Sequence, residues 1–143
     1  MTFQALLICC VYPKLATPAA ARDLYTGPLF ERSRRYAEQQ SRPWFILSGE
    51  HGLVGPDNWL APYDTDVSEM SAGYRSAWGA WIVAKLDREA GGLDGAVIEV
   101  HAPDSYLGPI HRPLLRAGAA VVLPLKEVPY EEWPDWYDRE LTR

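Results

Sequence analysis

The sequence predicts an α/β fold, a single three-layer α/β/α sandwich around a mostly parallel four-stranded sheet, and three observations carry that prediction. Four apolar runs of strand length, Phe3 to Cys10, Trp44 to Leu47, Ala96 to Val100 and Ala119 to Leu123, show little polar alternation, as expected for strands covered on both faces. The segments between them place apolar residues at helical spacing. Strand and helix signals therefore alternate as β-α-β-α-β-α-β, which favours one parallel sheet with helices on both of its sides.

Each element has its own local reason. The first run, Phe3 to Cys10, is the most continuous and reads as a central strand. From Tyr12 to Tyr25, Pro13 and Pro18 forbid a regular helix, and Thr26 then offers an N-cap for a helix to about Gln40 whose inner stripe is Leu29, Phe30, Ser33, Tyr36 and Ala37. Trp44 to Leu47 ends at Ser48-Gly49, and an irregular stretch rich in Gly, Pro and Asp follows to about Val67. The strongest periodic signal runs from Ser68 to Ala90, with Tyr74, Ala77, Trp78, Trp81, Ile82 and Leu86 on one face and Gly91-Gly92 as the stop. Pro103 to Ala117 reads as a helix disturbed by Pro109 and Pro113, closed by Gly118 before the last strand.

Composition sets the class. A chain of 143 residues with 48% hydrophobic and 23% charged residues is ordinary for one globular domain, which excludes disordered and low-complexity classes. No apolar run reaches the length of a membrane span, and Met1-Thr2-Phe3-Gln4 lacks the basic start of a secretory leader, so the expectation is a cytoplasmic protein with no membrane partner. The two cysteines, Cys9 and Cys10, are adjacent, and neighbours in a strand point to opposite faces, so reduced thiols are expected. Net charge is −5, unevenly placed: residues 1 to 47 hold six basic side chains (Lys14, Arg22, Arg32, Arg34, Arg35, Arg42) against three acidic ones. Those arginines are open to two readings, a solvated helix face or a phosphate-attracting one. Residues 1–125 are expected to form the α/β domain and residues 126–143 an acidic, aromatic tail packed on it, with Tyr130, Trp133, Trp136 and Tyr137 either covering their own subunit or meeting a partner.

In open parallel sheets ligands bind beyond the carboxyl ends of the strands. The residues that follow the strands are Cys9, Cys10 and Lys14; then Ser48, Gly49, Glu50, His51 and Gly52; then His101, Asp104 and Tyr106, and they are expected to converge on one crevice. One cation, one imidazole, carboxylates and phenols suit an anionic or heterocyclic ligand. Neither a P-loop nor a dinucleotide-binding glycine motif follows any strand, which argues against nucleotide hydrolysis of the P-loop type and against hydride transfer. His51, His101 and His111 lack ligand spacing, so no metal and no cofactor are expected. Glu50 and His51 are the candidate catalytic acid or base, although Gly49 and Gly52 around them are equally read as the requirement of a tight backbone turn. Cys10 is read either as a nucleophile activated by His51 or Lys14 or as small packing material at a strand end.

The stretch Ile46-Leu47-Ser48-Gly49-Glu50-His51-Gly52-Leu53-Val54-Gly55-Pro56, with Pro62-Tyr63 after it and Asp66 in the place of an acid, resembles the hallmark segment of the YaaA-type peroxide-stress proteins. His51 stands where that pattern has an aromatic residue, and Asp64 where it has an arginine. The segments Cys9-Cys10-Val11-Tyr12-Pro13-Lys14, Asp23 to Phe30 and Ala102-Pro103-Asp104-Ser105-Tyr106 are similar to small bacterial domains whose topology is like that of uracil-DNA glycosylases. The resemblance implies handling of a nucleobase or nucleic acid. The leading expectation is a domain that binds a nucleotide, nucleobase or single-stranded nucleic acid and cleaves or exchanges an N-glycosidic bond. Glu50 and His51 would be catalytic, and Cys10, Lys14, Tyr25, Ser48, Gly49, Gly52, Tyr63, Asp104 and Tyr106 would bind the ligand, with Lys14 on phosphate and Tyr25, Tyr63 or Tyr106 stacked on the base. The rival expectations are a non-catalytic DNA-binding stress protein using the arginine-rich first helix and a protein-binding module using the tail; a homodimer is compatible with each.

Overall fold

Gln4–Cys9 forms strand β1, and its pattern explains its place: Ala5, Leu7 and Cys9 are buried on one face while Leu6 and Ile8 are buried on the other. A strand with no polar face belongs in the middle of a sheet. The computed structural model describes residues 2–143. After β1 come β2 (Ala19–Ala20), the one-turn helix α1 (Ala21–Leu24), α2 (Pro28–Glu38), β3 (Trp44–Ser48), β4 (Gly52–Val54), β5 (Trp59–Leu60), α3 (Ala72–Ala90), β6 (Val97–His101), α4 (Asp104–Arg116), β7 (Ala120–Val122) and α5 (Trp133–Leu141).

The fold is mixed α/β, with a mostly parallel sheet ordered β4-β3-β1-β6-β7. The four strands expected from the sequence are there and run parallel, but the sheet has five strands, not four. The extra one, β4, pairs antiparallel with β3, Ile46 opposite Val54 and Ser48 opposite Gly52. Three residues inside a glycine-rich turn carry no readable period, which is why the sequence hid it. The two-residue ribbon between β2 and β5, with Ala19 opposite Leu60, was hidden for the same reason.

Helices pack on both faces. Trp78, Ile82 and Leu86 of α3 join Ile110 and Leu114 of α4 over Ala5, Leu7 and Cys9, and Phe30 and Ala37 of α2 cover Leu6 and Ile8. Boundaries and caps differ from the sequence expectation in three places. Gly27, not Thr26, precedes α2, because the Thr26 hydroxyl donates to the Pro13 carbonyl at 3.4 Å instead of capping. The long helix starts at Ala72 with Ser71 as its cap, after a separate 3₁₀ turn at Val67–Glu69. Its Trp81 is exposed and lies over Gly52, so the buried stripe is Trp78, Ile82, Val83 and Leu86. Helix α4 runs unbroken through Pro109 and Pro113, and a Cβ at Gly79 of α3 would collide with the Pro109 carbonyl, which marks where the two helices touch.

The chain leaves β1 toward β3 on one side and leaves β6 toward β7 on the other, so the carboxyl ends of β1 and β6 flank the point where strand order reverses. Such a point opens a crevice because the two connections diverge. The tail closes back over this end: α5 packs on α2, Trp133 and Tyr137 are buried with Leu125, and Arg32 pairs with Asp138 at 2.8 Å. No helix is long and apolar enough to cross a membrane.

Candidate functional site

The switch point holds a cleft of about 290 Å³ with Cys10, Lys14, Asp66 and Tyr106 on its walls and Tyr12 and Tyr130 at its rim. Cys10 follows β1 directly, and its backbone N–H donates to the Leu47 carbonyl, so the thiol is fixed by the sheet. Lys14 is placed by a bridge to Tyr25, with the Leu15 amide on the Leu24 carbonyl and the Thr26 amide on the Pro13 carbonyl. The loop after β3 is held by α3: Trp78 Nε1 donates to the Ser48 carbonyl at 2.9 Å, the Tyr74 hydroxyl to the Gly49 carbonyl at 3.1 Å, and Lys85 Nζ to the Leu53 carbonyl at 2.8 Å.

Behind the cleft runs a chain of hydroxyls. Ser48 Oγ donates to Tyr63 at 2.8 Å, Tyr63 and Tyr25 share a bond of 2.5 Å, and the His51 amide donates to Ser48 Oγ at 3.0 Å. Burial keeps the Tyr25, Tyr63 and Tyr106 phenols protonated, each raised well above the usual tyrosine value, with the neighbouring Cys10 charge acting in the same direction. Tyr106 also accepts from the Val67 amide at 3.3 Å and lies 3.7 Å from Cys10 Sγ. Burial pushes Asp66 up, but its bonds from the Ser68 hydroxyl and amide outweigh this and hold it below the usual carboxylate range.

Lys14 is the unusual member. Its Nζ lies 3.9 Å from the centre of the Tyr12 ring, 4.7 Å from Tyr63 and 5.6 Å from Tyr25, a cation held on aromatic faces. Among the described residues no carboxylate lies within ion-pair distance of it, although its charge reaches Asp66 on the same cleft and helps to lower that carboxylate.

The expected site is thus assembled in part. Cys10, Lys14 and Tyr106 line the cleft, and Tyr25, Ser48, Gly49 and Tyr63 form the layer behind it. Gly49 is required by close approach, since a Cβ there would run into the Thr65 carbonyl; Gly52 is required by its φ of 71° and by the Trp81 ring 2.8 Å from where a Cβ would sit. Glu50 does not line the cleft itself but accepts from the hydroxyl of the cleft-lining Thr65 at 3.0 Å and lies 3.8 Å from His51 Nε2, and the His51 ring stands edge-on against Tyr63, with Nε2 buried and without a hydrogen-bond partner. Asp104, at the start of α4, opens onto two other depressions, one beside Lys126 and one beside Arg116. His101 does not line the Lys14 cleft: it ends β6 on the α5 side, where Nε2 meets Glu99 at 2.6 Å and Nδ1 meets Tyr137 at 2.7 Å, and it shares only a small cavity of about 20 Å³ with Cys10 and Tyr130. Tyr12, Thr65, Ser105 and Tyr130 line the cleft without having been singled out as ligand contacts. Of these only Tyr130 carried a signal, the aromatic spacing of the tail.

A family match extends over residues 5–139, from β1 into α5. The chain belongs to DUF6884, a family of unknown function. Because the DUF6884 match runs into α5, the tail that supplies Tyr130 and covers the switch point lies within the family's span. The uncharacterised protein YfjM of Bacillus subtilis is 37% identical over 46 residues, a segment covering 32% of this chain and 31% of that relative. No solved structure matches.

Proposed function

We propose that this DUF6884 protein binds a nucleotide in the switch-point cleft and acts at its N-glycosidic carbon. The observation that supports it most directly is the Lys14 ammonium, held on three tyrosine rings at a cleft wall with no carboxylate in direct ion-pair contact. Asp66 shares the cleft and feels the Lys14 charge from a distance, so the ammonium keeps its donors free for a ligand anion, and a phosphate fits that need. Tyr25 and Tyr63 are buried, so the base would stack instead on Tyr12 or Tyr130, which are 59% and 48% exposed. Asp66, ionised at neutral pH, would face positive charge developing on the sugar. Glu50 and His51 then serve as loop residues and not as the acid and base. The reading places the domain as a three-layer sandwich of the YaaA-like kind, with its ligand at the usual edge.

The rival reading, DNA bound by the first helix, finds most of the basic groups there occupied: Arg34 pairs with Glu38 and Arg32 with Asp138, and beside the helix Arg22 pairs with Glu38 and Arg42 with Glu99, which leaves Arg35 as the exposed arginine of the helix without an ion pair among the described residues.

A thermal-shift series with nucleoside monophosphates, nucleosides and free bases tests the proposal. A ligand at about 100 times its Kd stabilises the folded state by about 2.7 kcal/mol. A monophosphate should raise Tm more than its nucleoside does, and Lys14→Ala should erase the difference. No response to any of the three classes would overturn the nucleotide reading.

A further inference from the structure

The reactive group of the cleft follows from what converges on Cys10. Cys9 and Cys10 are neighbours in sequence but occupy different surroundings: Cys9 is enclosed in the core between β1 and the α3 and α4 helices, whereas Cys10 lines the cleft. Polar groups from separate segments surround the Cys10 sulfur. The Gly49 amide approaches from the loop after β3, the Tyr63 hydroxyl from the loop after β5, and the Tyr106 hydroxyl from α4. Lys14 supplies a positive charge on the same cleft, shared with Asp66 but without a direct ion-pair contact. Donors arranged around a sulfur stabilise it as an anion, and a cation beside it holds an anionic ligand within reach.

We propose that Cys10 is the nucleophile of this protein, attacking an electrophilic carbon of an anionic ligand anchored by Lys14. The ligand class rests on the nucleotide reading above; the nucleophile does not. The thiol gives its proton to solvent, the thiolate pair forms the S–C bond, and the bond from that carbon to its leaving group breaks with the pair departing on the leaving group, which takes a proton from water in the cleft. No oxidant or reductant is involved.

The electrostatics agree with the geometry. Hydrogen bonding from the Cys9 thiol, joined by the Gly49 amide and the Tyr63 and Tyr106 hydroxyls, overcomes the opposing effect of burial and lowers Cys10 to about 6. Burial pushes the Cys9 thiol up, so only one of the two is ionised at neutral pH. The other titratable groups near the pair are Lys14, Tyr25, Asp66 and Tyr130 and, on the α5 side, His101 and Tyr137; Asp66 opposes ionisation of Cys9 and Lys14 favours it.

Alkylation with site mapping by mass spectrometry tests the proposal on the intact chain. Iodoacetamide should label Cys10 with a pH midpoint near 6 and leave Cys9 unlabelled in the folded protein, and Cys10→Ser should remove the label without loss of fold. Tyr106→Phe, which keeps the ring and deletes one donor, should move the midpoint upward. Iodoacetate, which carries a negative charge, should label faster than iodoacetamide relative to a free-thiol standard, and Lys14→Ala should remove that preference. A midpoint near that of an ordinary thiol, about 8.5, or preferential labelling of Cys9, would overturn the nucleophile. Labelling as expected without protection by any nucleotide would leave Cys10 standing and count against the nucleotide reading instead.

Discussion

Two polar clusters flank β1 and β6, and they are built on opposite principles. Beneath α2 and α5, Arg42 Nη2 lies 2.9 Å from Glu99 Oε1, Glu99 Oε2 bonds to His101 Nε2 at 2.6 Å, and His101 Nδ1 bonds to Tyr137 at 2.7 Å, with the Tyr36 hydroxyl donating to Glu99 at 3.1 Å. That cluster is closed. Burial holds His101 below its ordinary value, so Tyr137 donates to Nδ1 and Nε2–H donates to the carboxylate. Burial would raise Glu99, but its bonds from His101 and Arg42 outweigh this and hold it at about 2. In the cleft the balance is reversed: Lys14 has no carboxylate in ion-pair contact and the half-buried Cys10 lines the cavity wall. A satisfied buried network fixes structure, and polar groups left open at a switch point are available to a ligand.

The largest effect expected from breaking this contrast is at Glu99. Glu99→Gln leaves Arg42 without its counter-charge in a mostly buried place and should cost about 3 kcal/mol, read from chemical denaturation at pH 7. The pH dependence has a fixed sign. A carboxylate depressed on folding contributes stability above its usual range that is lost as pH falls toward 2, so acid should destabilise the wild type through Glu99. A histidine depressed on folding adds to the loss once pH falls below about 6.5, where the unfolded chain takes up the proton first. Glu99→Gln should flatten the lower part of that profile; an unchanged slope below pH 4.5 would show that the carboxylate is not held as described.

Tyr137→Phe comes next. It deletes one donor and leaves His101 Nδ1 buried and unpaired, for a loss of about 1–2 kcal/mol by the same measurement, and it tests whether α5 is keyed to the sheet by this bond. The smallest stability effect should be at Lys14. Lys14→Ala removes no ion pair but gives up its contacts with the tyrosine rings, so it should cost about 0.5–1 kcal/mol, while ligand binding should weaken. If Lys14→Ala proved as damaging as Glu99→Gln, the two clusters would have the same role and the cleft would be structural.

The closed network also shows where sequence reading stops. Glu99 and His101 alternate with Ile98 and Val100 along β6, yet the strand reads as an apolar run because the polar positions are buried too. Which side His101 faces depends on strand register, and the network is completed from far along the chain, by Tyr137 on His101 at a separation of 36 residues and Arg42 on Glu99 at 57. The acid and base expected at Glu50 and His51 were drawn from adjacency in a glycine-flanked loop. Adjacency did not aim them: α3 grips this loop through Trp78 and Tyr74, and Glu50 turns toward Thr65.

Local and periodic information was enough to determine the alternation of strands and helices, the central position of β1 and the glycine stop of the long helix. These depend on side-chain period and backbone φ, both properties of short segments. Tertiary structure alone decided the fifth, antiparallel strand, the descent of the tail over the switch point, the contacts that require glycine at 49 and 52, and a cleft lining that includes Cys10 and Lys14 but not Glu50, His51 or Asp104. Those outcomes depend on which distant groups meet, since a thiol becomes a candidate nucleophile only when an amide and two hydroxyls from three other segments are brought to it.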